Sequence, residues 1–274
     1  MTAGFAGHAF LATSGWAAAA IGVLALLTWV AGRMAGRHSV IDTAWGLFFC
    51  TAALVAFLGS SGHGSSPRRW LLLAMTTIWG LRLTVHIARR SIGKGEDPRY
   101  EQLVRGRGRL ETFALVYGLQ AVLAFLVSVP ILVGAFEAAP LTLLASVGVA
   151  VWALGLAFEA GGDRQLERFR ALKSAGVLPV DAIMDRGLWR YTRHPNYFGD
   201  ACVWVGIFCV TAERSPGVFT VFAPAVMIYL LAFGSGKRVL ERSMSRRPGY
   251  RDYMARTSGF LPLPPRRDPP RLRV

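Results

Sequence analysis

The 274-residue chain is 53% hydrophobic and only 17% charged, and its 31 Lys and Arg against 16 Asp and Glu give a formal net charge of +15. An average soluble domain carries roughly a quarter charged residues, and a disordered or nucleic-acid-binding segment this basic would lack the apolar content. The composition therefore predicts an integral membrane protein with no nucleic-acid partner; at about 20 apolar residues per span, the length suits one all-α unit of about six to eight helices without a large extramembrane domain.

Seven apolar segments predict a polytopic transmembrane helical bundle: 14–31, 41–59, 70–88, 113–136, 141–160, 199–212 and 218–234. No Lys or Arg precedes Arg33, so the first segment is expected to be a retained helix and not a secretory signal. The sixth is short for a bilayer of about 30 Å and is expected to tilt, or to form a hairpin with the seventh through Ser215, Pro216 and Gly217. With the N-terminus placed outside, the inner loops and the C-terminal segment hold 27 Lys and Arg and the outer loops 3, the remaining one being Arg82. Positive charge is retained on the cytoplasmic side. Loops 89–111 and 161–198 and the C-terminal segment 237–274 are thus expected in the cytoplasm, the chain forming a single membrane domain, 1–274, in a bacterial-type plasma membrane.

Cys50, Cys202 and Cys209 lie in apolar runs without metal-ligand spacing; they are expected to be small core residues, and no metal site is predicted. The Pro- and Arg-rich tail from Leu261 to Arg271 is expected to be extended and bound to the membrane surface.

Charges within apolar segments cost about 2.5–3.5 kcal/mol each on insertion scales, so each needs a partner, a wet cavity or a function. Four stand out, Asp42, Arg82, Glu159 and Asp200, all at the expected cytoplasmic ends of their segments, which suggests a polar chamber. Glu159, Asp163, Arg170 and Lys173 share one face if the fifth helix continues past Gly161 and Gly162 into the cytosol, although each glycine weakens such a helix by about 1 kcal/mol.

The densest polar stretch runs from Gly187 to Asp200. Pro195 suits the first turn of a helix, whose free N–H groups, flanked by Arg190, Arg193 and His194, would favour an anion. Asn196 can both donate to and accept from a carboxamide, Asp200 follows one turn later, and Trp189, Tyr191 and Tyr197 can stack on a planar ring.

This Arg193-His-Pro-Asn-Tyr-Phe-Gly-Asp200 run resembles the signature of the steroid 5α-reductase and sterol reductase superfamily, in particular its uncharacterised bacterial branch, the DUF1295-like integral membrane proteins. Also similar are Asp42-Thr-Ala-Trp45-Gly46, Trp79-Gly-Leu-Arg82, Glu96-Asp97-Pro98-Arg99-Tyr100, Gln120, Pro130, the stretch from Asp163 to Arg170, and the tail from Pro248 to Pro262. The resemblance implies a helical membrane oxidoreductase that holds NADPH at the cytoplasmic side without a Rossmann sheet and reduces a carbon–carbon double bond in a hydrophobic, steroid-like, enone or lipid substrate. It implies Glu159, Asp163, Arg170, Lys173, Arg190, Tyr191, Arg193, His194, Asn196, Tyr197 and Asp200 around the nucleotide, with Lys237, Arg238, Tyr250, Tyr253 and Arg256 toward its phosphates and adenine. Asp42, Arg82 and Tyr197 are the candidate catalytic residues, Asp42 as a carboxyl donor stabilising a developing enolate. Steroid-reducing relatives use a glutamine–glutamate pair and a tyrosine; here Asp42 falls near the acidic position and Trp79 near the tyrosine, so a phenolic donor is expected to be missing. A membrane S-adenosylmethionine-dependent methyltransferase of the isoprenylcysteine or phospholipid type is the alternative, since such enzymes carry Arg-His-Pro-x-Tyr-x-Gly with a C-terminal acidic and Tyr-rich segment, which Glu241 and Tyr250 resemble.

Overall fold

The computed structural model describes residues 6–234 and 236–266. Within them the secondary structure is helical, with a single isolated bridge between Thr192 and Ser258. Eleven α-helices follow in order: α1 Gly7–Met34, α2 Val40–Gly59, α3 Ser66–Ser91, α4 Pro98–Val104, α5 Arg109–Thr112, α6 Leu119–Ala135, α7 Leu143–Ser174, α8 Pro195–Thr211, α9 Phe222–Ala232, α10 Lys237–Met244 and α11 Tyr250–Arg256. A π-type turn, Phe113–Gly118, joins α5 to α6.

Among the described residues six helical stretches are long and apolar enough to cross a membrane: α1, α2, α3, Arg109–Ala135, α7 and Gly217–Met244. They correspond to six of the seven expected segments. The remaining segment is α8, whose 17 residues fall just short. Their outer faces explain why the chain is so apolar. On α1 the buried positions Thr13, Ala17, Ile21, Ala25, Thr28 and Gly32 recur every three or four residues, while Leu11, Trp16, Val23, Leu27 and Val30 are exposed. A helix that hides its small residues and exposes its large apolar ones is built for a lipid solvent.

The chain divides into two compact units, residues 1–149 with 207–223, and residues 150–206 with 224–274. In the first, α2 packs on α1, α3 and α6. Glycines set the α2–α3 approach: a Cβ on Gly80 would meet Cys50 Sγ at 2.6 Å and Gly46 O at 2.7 Å, and one on Gly46 would overlap the Gly80 carbonyl. Close backbone contact of this kind replaces the hydrophobic drive that lipid does not supply. In the second unit Gly155 of α7 and Gly199 of α8 play the same part, since a Cβ on either would strike the other's carbonyl. Helix α7 continues unbroken through Gly161 and Gly162, as the shared face of Glu159, Asp163, Arg170 and Lys173 requires.

The cysteines differ from expectation. Cys50, Cys202 and Cys209 are free thiols of intermediate burial and not fully enclosed, with Cys50 Sγ at the α2–α3 contact. The described part of the tail, 261–266, runs extended, Leu263 N–H donating to Tyr191 O and Arg266 N–H to Arg256 O; the rest of the Pro- and Arg-rich run lies outside the described residues.

Candidate functional site

In the first unit the Glu96-Asp97-Pro98-Arg99-Tyr100 run is a helix start. Asp97 caps α4, its carboxylate accepting from Arg99 N–H at 2.9 Å, and Pro98 occupies the first turn, where no N–H is needed. Glu96 pins this loop to the start of α2 by accepting from the backbone N–H of His38, of Ser39 at 2.9 Å and of Asp97 at 3.0 Å. Burial opposes its ionisation, but these hydrogen bonds outweigh burial and hold Glu96 below the usual carboxylate range.

Helix α4, so placed, presents Tyr100 to Asp42. The phenol donates to Asp42 Oδ1 at 2.5 Å, and its oxygen accepts from Gln120 Nε2 at 3.2 Å. Arg99 Nη2 lies 3.4 Å from Asp42 Oδ2, although its stronger partner is Asp97 at 2.9 Å. Tyr100 is 8% exposed, while the Asp42 side chain keeps 33% exposure. Burial, reinforced by the adjacent Asp42 charge, raises the Tyr100 pKa above that of an ordinary phenol. The set is a proton relay in form: an amide polarises a phenol whose proton is held by a carboxylate open to solvent on one side. Beside it, His38 Nδ1 and Tyr117 Oη are 3.0 Å apart. Arg82 sits half-buried on α3 in the same unit.

A phenol does stand against Asp42, that of Tyr100 on α4. Trp79 is fully buried with its ring 5.5 Å from that of Phe49, a packing residue of α3. Tyr100 and Gln120 both belong to the motifs shared with the reductase superfamily, which by themselves give neither residue a role. Their signal was that an acid, a phenol and an amide recur among the motifs.

In the second unit Pro195 opens α8, and the preceding cations turn toward the C-terminal helices. Arg193 Nε donates to Glu241 Oε1 at 2.8 Å and its Nη1 to Met254 O at 3.0 Å and to Thr257 O. His194 Nε2 lies 3.1 Å from the same Glu241 oxygen, and its ring stacks on Tyr197 at 5.1 Å. Burial lowers the His194 pKa against the pull of Glu241. Glu241 thus takes up charge that the sequence reading left open to an anion. Removing it by Glu241→Gln leaves Arg193 with carbonyl partners alone. At about 1.5–3 kcal/mol for a hydrogen bond to a charged group, amide exchange in Tyr250–Arg256 is expected to quicken by at least about tenfold. Unchanged exchange by mass spectrometry would show that the pair does not hold this segment.

Tyr250 and Tyr253 are core residues, 4% and 2% exposed. Tyr253 donates to Trp189 O at 2.5 Å, and Trp189 Nε1 to Gly162 O at 3.0 Å, stitching α11 to α7. Burial pushes Tyr250 up to about 12 and Tyr253 in the same direction. Arg256 pairs with Asp185 at 2.6 Å, and Lys173 Nζ donates to Ala182 O at 3.1 Å. Arg170, Arg190, Tyr191 and Arg238 are exposed, and Glu159, Asp163 and Asp200 are buried. Asn196 Nδ2 donates to Asp163 Oδ1 at 3.4 Å, while its buried Oδ1 has no hydrogen-bond partner among the described residues.

A hollow of about 250 Å³ opens beside these groups, lined by Arg193, Arg256, Arg266 and the backbone of 257–259. A Cβ on Gly259 would meet Lys237 Nζ at 2.8 Å and Arg193 Nη2 at 3.0 Å, so two cationic heads converge where only a glycine leaves room. Among the described residues no group of His, Cys, Asp and Glu is arranged to hold a metal.

The family described as protein of unknown function DUF1295 matches residues 28–257. No curated protein and no solved structure matches the chain. The match spans most of the sequence and takes in both polar clusters, so the chain belongs to the DUF1295 family of steroid 5α-reductase-like proteins.

Proposed function

We propose that the protein is a membrane-embedded, NADPH-dependent reductase of a carbon–carbon double bond in a hydrophobic substrate, an enone, steroid-like molecule or lipid, working at the cytoplasmic face of a bacterial-type plasma membrane. The observation that carries this reading is the Gln120–Tyr100–Asp42 hydrogen-bond chain in a helical member of a steroid-reductase-like family. Reducing a double bond conjugated to a carbonyl needs a donor for the developing enolate oxygen. Tyr100 has the proton, Gln120 holds its oxygen, and Asp42, reached by water, can resupply it.

The second unit's donor set suits a dinucleotide. The orphaned Asn196 Oδ1 can accept from a carboxamide N–H, the flat His194–Tyr197 pair offers a stacking face, and Lys237, Arg193, Arg256 and Arg266 supply cations for phosphates. NADPH, when bound, would supply the hydride. The expected result is that NADPH raises the melting temperature of the detergent-solubilised protein more than NADH does, and that Asn196→Ala and Arg170→Ala weaken the effect. A lipid-extract screen for NADPH oxidation then finds the substrate.

One observation favours the methyltransferase alternative: Glu241 on Arg193 and His194 joins the Arg-His-Pro run to a C-terminal acid, as that pattern needs. Stabilisation by S-adenosylmethionine and none by NADPH would decide for it.

A further inference from the structure

A second basic hollow, in the first unit, lies apart from the Gln120–Tyr100–Asp42 chain and shares His38 with the groups beside it. It holds about 220 Å³ and is lined by Trp29, Arg33 and His38 on one side and by Arg107, Arg109 and Thr112 on the other. Arg33 closes the last turn of α1 with its guanidinium 5.6 Å from the Trp29 ring centre, and Trp29 in turn packs edge-on against Phe113 at 5.4 Å. Arg109 is the first residue of α5, and Arg107 lies in the turn before it. All three arginines are exposed, and no carboxylate among the described residues lies within ion-pair distance of them. Of the acids close by in sequence, Glu96 is engaged on the backbone of His38 and Ser39 and Glu111 on Gly108 N–H at 3.2 Å, while Glu101 on α4 is exposed and makes no ion pair with these arginines.

Arg107 donates its Nε to Leu103 O at 2.8 Å, and with Arg33 and Arg109 it gives the hollow a positive lining without a countercharge, for which a phosphate suits both the charge and the fork geometry of arginine. The depth identifies the source. Trp29 and Arg33 belong to the final turns of an apolar, membrane-length helix, on which Val23, Leu26 and Leu27, before them in the helix, are exposed. A tryptophan under an arginine at such a point marks headgroup level, with the exposed apolar side chains below it where acyl chains run. We propose that this hollow is a binding site for the phosphate of an anionic phospholipid. The bound lipid would clamp the end of α1 to the α4–α5 segment, and so brace the helix that carries Tyr100. The site stands on its own geometry and does not depend on the reductase reading.

The test uses the full-length protein in zwitterionic phosphatidylcholine nanodiscs titrated with phosphatidylglycerol, read by native mass spectrometry and melting temperature. Phosphatidylglycerol is expected to bind and stabilise, and Arg33→Gln with Arg109→Gln is expected to weaken that binding roughly thirtyfold. Arg246→Gln with Arg247→Gln, which removes the same charge from an exposed turn after α10, should leave binding unchanged. Equal loss in both double variants would reduce the effect to diffuse surface attraction and overturn the site. Equal stabilisation by inorganic phosphate or glycerol 3-phosphate would make it a site for a soluble ligand and overturn the lipid assignment. Should the first double variant not fold, Arg107→Glu replaces it and is judged by the same outcomes.

Discussion

Arg68→Ala is expected to destabilise the protein by about 3–5 kcal/mol, the cost of leaving a buried carboxylate without its cation. Arg68 is 0% exposed and the Glu213 side chain 1%, with Nη2 and Oε2 2.5 Å apart. Arg68 also donates to the carbonyls of Ala139 and Pro140 at 3.2 Å and of Val210 at 3.4 Å, while Glu213 Oε1 accepts from Thr142 N–H at 2.7 Å, Thr142 Oγ1 at 2.6 Å and Ala145 N–H at 2.9 Å. One pair therefore ties the start of α3 and the loop before α7 to the first turn of α7 and the end of α8, all within the first unit. Unfolding in a detergent denaturation series measures the cost, and a loss below about 1 kcal/mol would place the pair in water. The pH dependence has a definite sign. Burial opposes ionisation of Glu213, but the hydrogen bonds from Thr142 and Ala145 and the Arg68 charge outweigh it, so its pKa lies below the ordinary 4.5. A carboxylate lowered on folding contributes stability that is full above its unfolded pKa and is lost as pH falls through the folded one. Stability should thus fall on acidification below about pH 4.5, and Glu213→Gln should flatten that slope.

What the chain discloses about itself follows from the range of the interactions. Apolar runs locate the long helices because each run needs only its own residues, and Pro195 and Asp97-Pro98 mark helix starts because capping is local. The extension of α7 through Gly161 and Gly162 follows from the pattern of polar residues on one face, which outweighs the propensity of two glycines. The partners of the charges are another matter. Arg68 counts as an outer-loop cation in a topology tally, and nothing near it in sequence reveals that Glu213, 145 positions on, takes it out of water. Tyr100 meets Asp42 across 58 positions and Glu241 meets Arg193 across 48, so the motifs mark the residues but not the pairings between them. Periodicity also cannot separate a partly covered thiol from a fully enclosed one, and the three half-buried cysteines are the result.

In the proposed reductase the phenol would act as general acid, so Tyr100→Phe is expected to lower turnover of the reducible substrate by about 10²–10⁴-fold, while NADPH binding stays unchanged because Tyr100 belongs to a different unit from the residues proposed for the nucleotide. Phenylalanine keeps the ring and its packing, so a melting temperature close to that of the parent would confine the loss to the hydroxyl. Gln120→Leu should cost less, since it removes only the amide that polarises the phenol, and Asp42→Asn should fall between them, because an amide can orient the hydroxyl but cannot return a proton to it. Burial and the Asp42 charge raise the Tyr100 pKa, so the donor stays protonated through the range in which an ordinary phenol ionises, near pH 10. The rate should accordingly show no alkaline fall near pH 10 from loss of this proton. If Tyr100→Phe turned over at the parental rate, the Gln120–Tyr100–Asp42 chain would be a structural fastening of α4 alone, and the proton would have to come from elsewhere.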